Sequence, residues 1–139
     1  LVFRFMYRKL HITVDRASLK SKFNSLKRSL MALDDGKSLV IYPEGGIITR
    51  HPPQMVPFKD GAFRAAIEKQ VAIVPVTIPH NWKLMPDGPV QRLYRGKITV
   101  IFHTAIETKG MGPENLDGLK ERVFQVIQSE LQKQNRTNH

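Results

Sequence analysis

The stretch Leu39-Val-Ile-Tyr-Pro-Glu-Gly-Gly46 decides the fold class that the sequence predicts. Its apolar part, Ser38 to Tyr42, is bounded by Gly and Pro, which is typical of a strand buried on both faces of a sheet. Pro43 then fixes φ and removes a donor, and the two glycines permit backbone conformations that other residues avoid. Glu44 therefore lies just past the carboxyl end of a predicted strand, where open α/β sheets bind their ligands.

Helical patterns surround this stretch. Apolar residues at intervals of three and four predict a helix from Ala17 to Leu33, ended by Asp34-Asp-Gly36 with Gly36 as a left-handed cap. A second helix is predicted from Gly61 to Lys69, with Asp60 as its cap. A closing amphipathic helix follows at residues 114–134, and the polar tail at 135–139 is expected to fray.

Two further strands are predicted, from Val71 to Ile78 and from Lys97 to His103. Pro75 inside the first is unusual for a central strand and predicts a bulge or an end there. Helices alternate with strands, so we predict one α/β domain with a substantially parallel sheet flanked by helices. The connection between these strands contains Trp82, Leu84, Met85 and Leu93. These side chains either contact an acyl chain or lipid, or close one end of the core; since Trp is usually mostly buried, we expect the second.

Composition limits the classes of protein to consider. Hydrophobic residues make up 41% of the 139 residues, enough for a packed core, and there is no Cys for disulfides or thiolate chemistry. No apolar run approaches the ~18 residues of a spanning helix. The net charge is +10, from 22 Lys+Arg against 12 Asp+Glu, which favours an anionic partner such as a membrane surface, a phosphorylated substrate or nucleic acid.

Three ordered segments carry a family resemblance: Tyr42-Pro-Glu-Gly45, Phe58-Lys-Asp-Gly61 and Val71 to Val76. Together they resemble the motifs of the glycerolipid acyltransferases, the family of 1-acylglycerol-3-phosphate acyltransferases, over roughly residues 10–106. The resemblance implies transfer of a fatty acyl group from a thioester of coenzyme A or acyl carrier protein to the hydroxyl of a lysophosphatidate-like lysophospholipid. It further implies no cofactor beyond that co-substrate, no metal, an anionic membrane surface as partner and a membrane-associated location on the cytoplasmic face.

The resemblance also assigns residues to a substrate site. Arg16, at the end of Val14-Asp-Arg16, matches a family arginine that contacts the substrate phosphate; the alternative is a capping pair with Asp15. Lys59, beside a helix N-terminus, suits an anion or is simply solvated. After Glu44-Gly45-Gly46 the family has Thr-Arg-Ser, whereas this chain has Gly46-Ile47-Ile48, so we expect Arg50 to supply the displaced guanidinium. The predicted substrate-binding residues are Arg16, Glu44, Gly45, Gly46, Arg50 and Lys59.

A general base is missing from the sequence. The family supplies it in a His-x-x-x-x-Asp motif, and none of the five histidines has an Asp at that distance. His11 and Asp15 are one residue too close, and in a strand they would lie more than about 10 Å apart at roughly 3.3 Å per residue. We therefore expect an N-terminally truncated domain with no catalytic residue of its own. Loss of a general base typically costs ~10²–10⁴ in rate, so the chain alone is expected to be inert.

Two other classes of function remain open at this point. A basic nucleic-acid-binding module fits the charge, but aromatic residues are only 8% of the chain and form no stacking motif, so we predict no nucleic-acid partner. A non-catalytic lipid-binding protein fits the same motifs without the base.

Overall fold

A computed structural model of the chain describes residues 11–12, 18–46, 51–86 and 92–137. It divides into two compact units, Leu1–Ile41 and Tyr42–His139. Each unit has its own helical content, and the two are described separately below.

The first unit contains one long helix, α1 (Leu19–Asp34), close to the predicted bounds. Ser18 begins it, because its hydroxyl accepts a hydrogen bond from the Ser21 N–H at 3.2 Å. Gly36 ends the helix at φ +71°. The Gly36 N–H donates to the Leu33 carbonyl, and the Lys37 N–H donates to the Ala32 carbonyl. These two bonds form a Schellman motif, so the predicted left-handed glycine cap is confirmed.

The predicted strand from Ser38 to Tyr42 is not found. Residues 38–42 form no strand, and Val40 is 89% exposed. An apolar run becomes a buried strand only when a neighbour pairs with its backbone, and the strands within the described residues pair only with each other.

The second unit is built on two helices, α2 (Gly61–Lys69) and α4 (Leu116–Thr137), that pack together. The bounds of α2 match the prediction, and α4 continues past the predicted end at 134. The small residues Ala65 and Ala66 are buried and allow the close approach of α2 to its neighbours. The remaining buried apolar side chains form one core: Phe58, Phe63, Ile67, Ile106, Leu119 and Val123.

Two short antiparallel strands lie beside these helices. β1 (Val76–Thr77) pairs with β2 (Ile101–Phe102), and an isolated bridge joins Ile73 to Ile106. Pro75 lies between the bridge and β1, so the predicted interruption at this proline is confirmed. The substantially parallel sheet stays a prediction, since both strands of the described residues are antiparallel.

The connection between the strands begins with a four-residue helix, α3 (Asn81–Leu84). Trp82 and Leu84 are half-buried, but Met85 and Leu93 are 60% and 82% exposed. The expectation that this connection is tucked down is therefore wrong for Met85 and Leu93. No helix in the described part of the chain is long and apolar enough to cross a membrane.

Candidate functional site

The first sequence motif folds as a tight turn. The Gly45 N–H donates to the Tyr42 carbonyl at 3.1 Å, which places Pro43 and Glu44 at the two central positions. Proline is favoured at the first central position, because its ring presets φ, and glycine is favoured at the last position of such a turn. Gly45 adopts φ +78°, a conformation that costs other residues energy. The local sequence therefore favours this turn.

Two hydrogen bonds attach the turn to the second motif and to Val56 just before it. Oε2 of Glu44 accepts from the Val56 N–H at 2.9 Å. The Pro43 carbonyl accepts from the Lys59 N–H at 2.8 Å. The first two motifs of the sequence therefore lie side by side, and the Glu44 carboxylate is one of the groups that hold them together.

Lys59 lies directly against the turn. A Cβ added at Gly45 would come within 3.4 Å of Lys59 Cγ, so the lysine stem covers the glycine while the side chain stays exposed. The positive φ is the reason that this position favours glycine, because the lysine stem lies at an ordinary van der Waals distance from the place of a Cβ. Gly46 follows in the same half-buried turn.

The start of α2 is next to Lys59. Asp60 occupies the N-cap position, but its side chain makes no capping hydrogen bond, so the predicted capping role is wrong. Its carboxylate pairs instead with Lys120 at 3.0 Å and with Arg64 at 3.5 Å. The hydrogen bond from Lys120 holds the pKa of Asp60 below its usual value.

Lys120 is shared between two carboxylates. Its Nζ lies 2.9 Å from Asp117 and 3.0 Å from Asp60, and the hydrogen bonds to Asp117 and then Asp60 raise the pKa of the lysine. This small network fastens the first turn of α2 to the first turns of α4. It also compensates the negative charge of Asp60 beside the free N–H groups of the α2 N-terminus.

The structure brings together four of the predicted site residues: Glu44, Gly45, Gly46 and Lys59. Arg16 and Arg50 lie outside the described residues. The sequence reasoning missed the partner of Glu44, because a backbone N–H belongs to every residue type except proline and leaves no motif. It also missed the ion pair of Asp60 with Lys120, which joins residues 60 positions apart.

Other polar groups are placed away from this turn. His103 Nε2 lies 2.8 Å from the hydroxyl of the buried Thr77. The hydrogen-bond partner of that ring nitrogen is therefore a hydroxyl and not a carboxylate. The described residues contain no cluster of His, Cys, Asp and Glu able to hold a metal ion. Residues of α4 line two surface depressions of about 280 and 270 Å³, and neither depression includes Glu44 or Lys59. Lys59 is exposed, and the turn residues Pro43 to Gly46 are half-buried.

Comparison with known proteins gives the family. The sequence model of the family described as Acyltransferase matches residues 1–79, more than half of the chain. The chain belongs to the acyltransferase family, and the resemblance drawn from the three motifs is confirmed.

Individual relatives narrow the comparison. A 1-acyl-sn-glycerol-3-phosphate acyltransferase of Chlamydomonas reinhardtii is 29% identical over 122 residues, covering 87% of this chain and 36% of the relative. A chloroplastic 1-acyl-sn-glycerol-3-phosphate acyltransferase of Arabidopsis thaliana is 35% identical over 96 residues, covering 68% and 26%. The chain thus spans about a quarter to a third of the length of these relatives.

The fold has a counterpart among solved structures. The crystal structure of the 1-acyl-sn-glycerophosphate (LPA) acyltransferase PlsC from Thermotoga maritima matches with a TM-score of 0.66 and 25% identity, covering 80% of this chain and 44% of that one. The likeness supports a glycerolipid acyltransferase-like fold.

Proposed function

We propose that this chain is part of an acyltransferase of phospholipid synthesis, which transfers a fatty acyl group from a thioester to the free hydroxyl of lysophosphatidate. The observation that carries the proposal is the attachment of the Pro43–Gly45 turn to Lys59 at the start of α2. The relatives named above support the choice of acceptor.

The first step is recognition of a phosphate. Lys59 is exposed beside the N-terminus of α2, and the Asp60 side chain at the N-cap position makes no capping hydrogen bond there. A cation and free helix N–H groups together suit an anion. Asp60 would oppose a phosphate, but its pairing with Lys120 and Arg64 compensates this charge. In the proposal Arg16, and Arg50 in place of the family's displaced arginine, contribute further guanidinium contacts.

The second step concerns the turn itself. Two anions repel, so Glu44 does not bind phosphate directly. Its bond to Val56 fixes the Pro43–Gly45 turn, and its remaining carboxylate lone pairs can hold Arg16 or accept a hydrogen bond from the acceptor hydroxyl.

The third step is the transfer. The acceptor hydroxyl oxygen attacks the thioester carbonyl carbon, the carbon–sulfur bond breaks, and the hydroxyl proton ends on the departing thiol. A hydroxyl needs a general base at neutral pH. The sequence offers no His-x-x-x-x-Asp pair to supply it, so the chain alone is proposed to bind the acceptor without turnover.

Three finer expectations belong to the same proposal. The sheet is substantially parallel in the complete domain, the thioester donor is an acyl-CoA or an acyl carrier protein, and the protein acts at the cytoplasmic face of a membrane whose anionic surface it contacts.

Binding of monomeric lysophosphatidate by titration calorimetry tests the phosphate site without requiring turnover. Lys59→Gln should weaken binding roughly tenfold, as expected for a lost charge-assisted hydrogen bond of about 1.5 kcal/mol. Lys109→Gln, the same change at an exposed lysine between β2 and α4, is the matched control and should leave binding unchanged. Lysophosphatidylcholine, whose phosphate bears a choline ester, should bind more weakly than lysophosphatidate.

Equal affinity of the wild type and Lys59→Gln would overturn the phosphate role of Lys59.

A separate assay with acyl thioester and lysophosphatidate should give no product above a heat-killed control. Turnover by the chain alone would show that the base lies elsewhere than in the expected motif.

A further inference from the structure

Residues 81–86 and 92–102 of the second unit carry the side chains of what we call the basic-apolar surface. The Tyr94 N–H donates to the Leu84 carbonyl at 2.8 Å, and Gly96 lies so close to the Leu84 side chain that it has no space for a Cβ. These contacts join the two segments on either side of the region at 87–91. Tyr94 and Gly96 therefore lie beside Leu84.

Large apolar side chains of this surface are exposed. Phe102 is 73% exposed, Ile98 is 63% exposed, and Met85, Leu93 and Tyr94 are also exposed. Single exposed apolar residues are normal on proteins, whereas several large ones on neighbouring segments indicate an interaction site. Trp82 lies beside them, half-buried, with Lys83 Nζ 5.4 Å from its ring centroid.

The charges of this surface have one sign. Its cations carry no ion pair within the described residues: Lys83, Arg92, Arg95 and Lys97. No acidic residue occurs at 81–86 or 92–106, and Asp87 is the only one in the sequence between Lys69 and Ile106. On α4, by contrast, Lys120 is neutralised by two carboxylates. The positive charge here therefore remains available to a partner.

We propose that the basic-apolar surface docks the chain on a membrane that contains anionic phospholipids. The inference rests on the proposed function for its setting, because a lysophospholipid acceptor lies in such a membrane. Charge complementarity selects the partner, since unpaired Lys and Arg are attracted to anionic headgroups. Aromatic and aliphatic side chains among those cations are typical of protein segments that lie in the membrane–water interface.

Co-sedimentation of the 139-residue chain with vesicles of phosphatidylcholine and phosphatidylglycerol tests the proposal. The surface variant combines Arg92→Gln, Arg95→Gln and Lys97→Gln. Its partition coefficient should fall roughly tenfold to a hundredfold, as expected for three cations near a charged bilayer. Binding of the wild type should also fall as salt rises, because screening shortens the reach of the charges.

A matched control removes the same number of charges elsewhere in the second unit. It combines exposed residues with no ion pair in the described part of the chain: Lys109→Gln, Arg122→Gln and Arg136→Gln. Both variants lower the net charge from +10 by three. The control variant should keep most of the wild-type binding if the docking surface is where we place it.

Trp82 gives a second, local measurement because it is the only tryptophan. On binding to vesicles its emission should shift to shorter wavelength, and lipids with brominated acyl chains should quench it. Leu93→Ser should reduce the binding several-fold while circular dichroism stays unchanged, since Leu93 is 82% exposed and contributes little to the core.

Several results would overturn the proposal. Equal losses in the surface and control variants would show attraction by net charge alone, and absence of quenching would place Trp82 away from the lipid. Tighter binding to single-stranded RNA than to vesicles, or a dimer in sedimentation that Leu93→Ser disrupts, would assign the surface to another occupant. No acyl donor or acceptor is present, so failure here is distinguishable from failure of the lysophosphatidate titration.

Discussion

Replacing Glu44 separates its structural contribution from any role in chemistry. Glu44→Ala removes the acceptor of the Val56 N–H, and leaving a buried donor unsatisfied costs roughly 1–3 kcal/mol. Glu44 and Val56 are both half-buried, so water replaces part of the lost bond. We therefore expect the free energy of unfolding to fall by about 1–2 kcal/mol.

Glu44→Gln is the informative partner of this substitution. The amide oxygen of glutamine can accept the same hydrogen bond, but the bond is no longer charge-assisted. Its loss of stability should be about 1 kcal/mol or less. Glu68→Gln makes the same chemical change at an exposed position of α2 and should stay within about 0.5 kcal/mol of the wild type.

Urea unfolding followed by circular dichroism measures these differences through the midpoint at constant slope. Thermal unfolding should agree, with Glu44→Ala lowered by about 4–8 °C, since 1 kcal/mol corresponds to roughly 4 °C for a chain of this size. If Glu44→Ala is as stable as Glu68→Gln, the bond to Val56 does not hold the two motifs together. The turn and Lys59 would then not form one rigid site.

Three more predictions concern the second unit, each read by urea unfolding. The hydrogen bond from Lys120 lowers the pKa of Asp60 in the folded protein. The ion pair therefore stabilises the fold above the usual Asp pKa of 3.8, and this stabilisation is lost as the pH falls below that value. Lys120→Met should lose less stability on acidification than the wild type. Thr108→Val removes a fully buried hydroxyl that lies 2.8 Å from the Val71 carbonyl and should cost about 1–3 kcal/mol, and a cost below 0.5 kcal/mol would contradict that bond. Gly45→Ala should lower the free energy of unfolding by about 1–2 kcal/mol, because φ at this position is +78°. Gly118→Ala, in open space on α4, should be neutral or stabilising. Equal effects of the two substitutions would contradict the turn geometry.

The parts of the fold that sequence predicted well depend on local interactions. The bounds of α2 and the Schellman end of α1 follow from side-chain periodicity and from one glycine, and both are found. The strand from Ser38 to Tyr42 was predicted wrongly because its existence depends on a neighbouring strand that the local pattern does not specify. Asp60 shows the same limit: its position at the helix start was predictable, but Lys120 lies far away in sequence and competes for the carboxylate.

The candidate site divides in the same way. The turn at Pro43–Gly45 was predictable, because proline and glycine determine its backbone. Its attachment to Val56 was not, since any residue at position 56 other than proline offers the same N–H. The assignments of Arg16 and Arg50 rest on the family resemblance and stay predictions.

The two roles considered for Glu44 are compatible rather than exclusive. A carboxylate has about four lone-pair sites, and within the described residues the Val56 N–H occupies one of them, on Oε2. Oε1 can therefore still hold a guanidinium or an acceptor hydroxyl while Oε2 fixes the turn. If Glu44 acts only through the turn, Glu44→Gln should lower stability and substrate binding in proportion, and a stabilising change such as Gly118→Ala should restore both. If Oε1 also contacts substrate, the same stabilising change should restore the fold and leave lysophosphatidate binding weak.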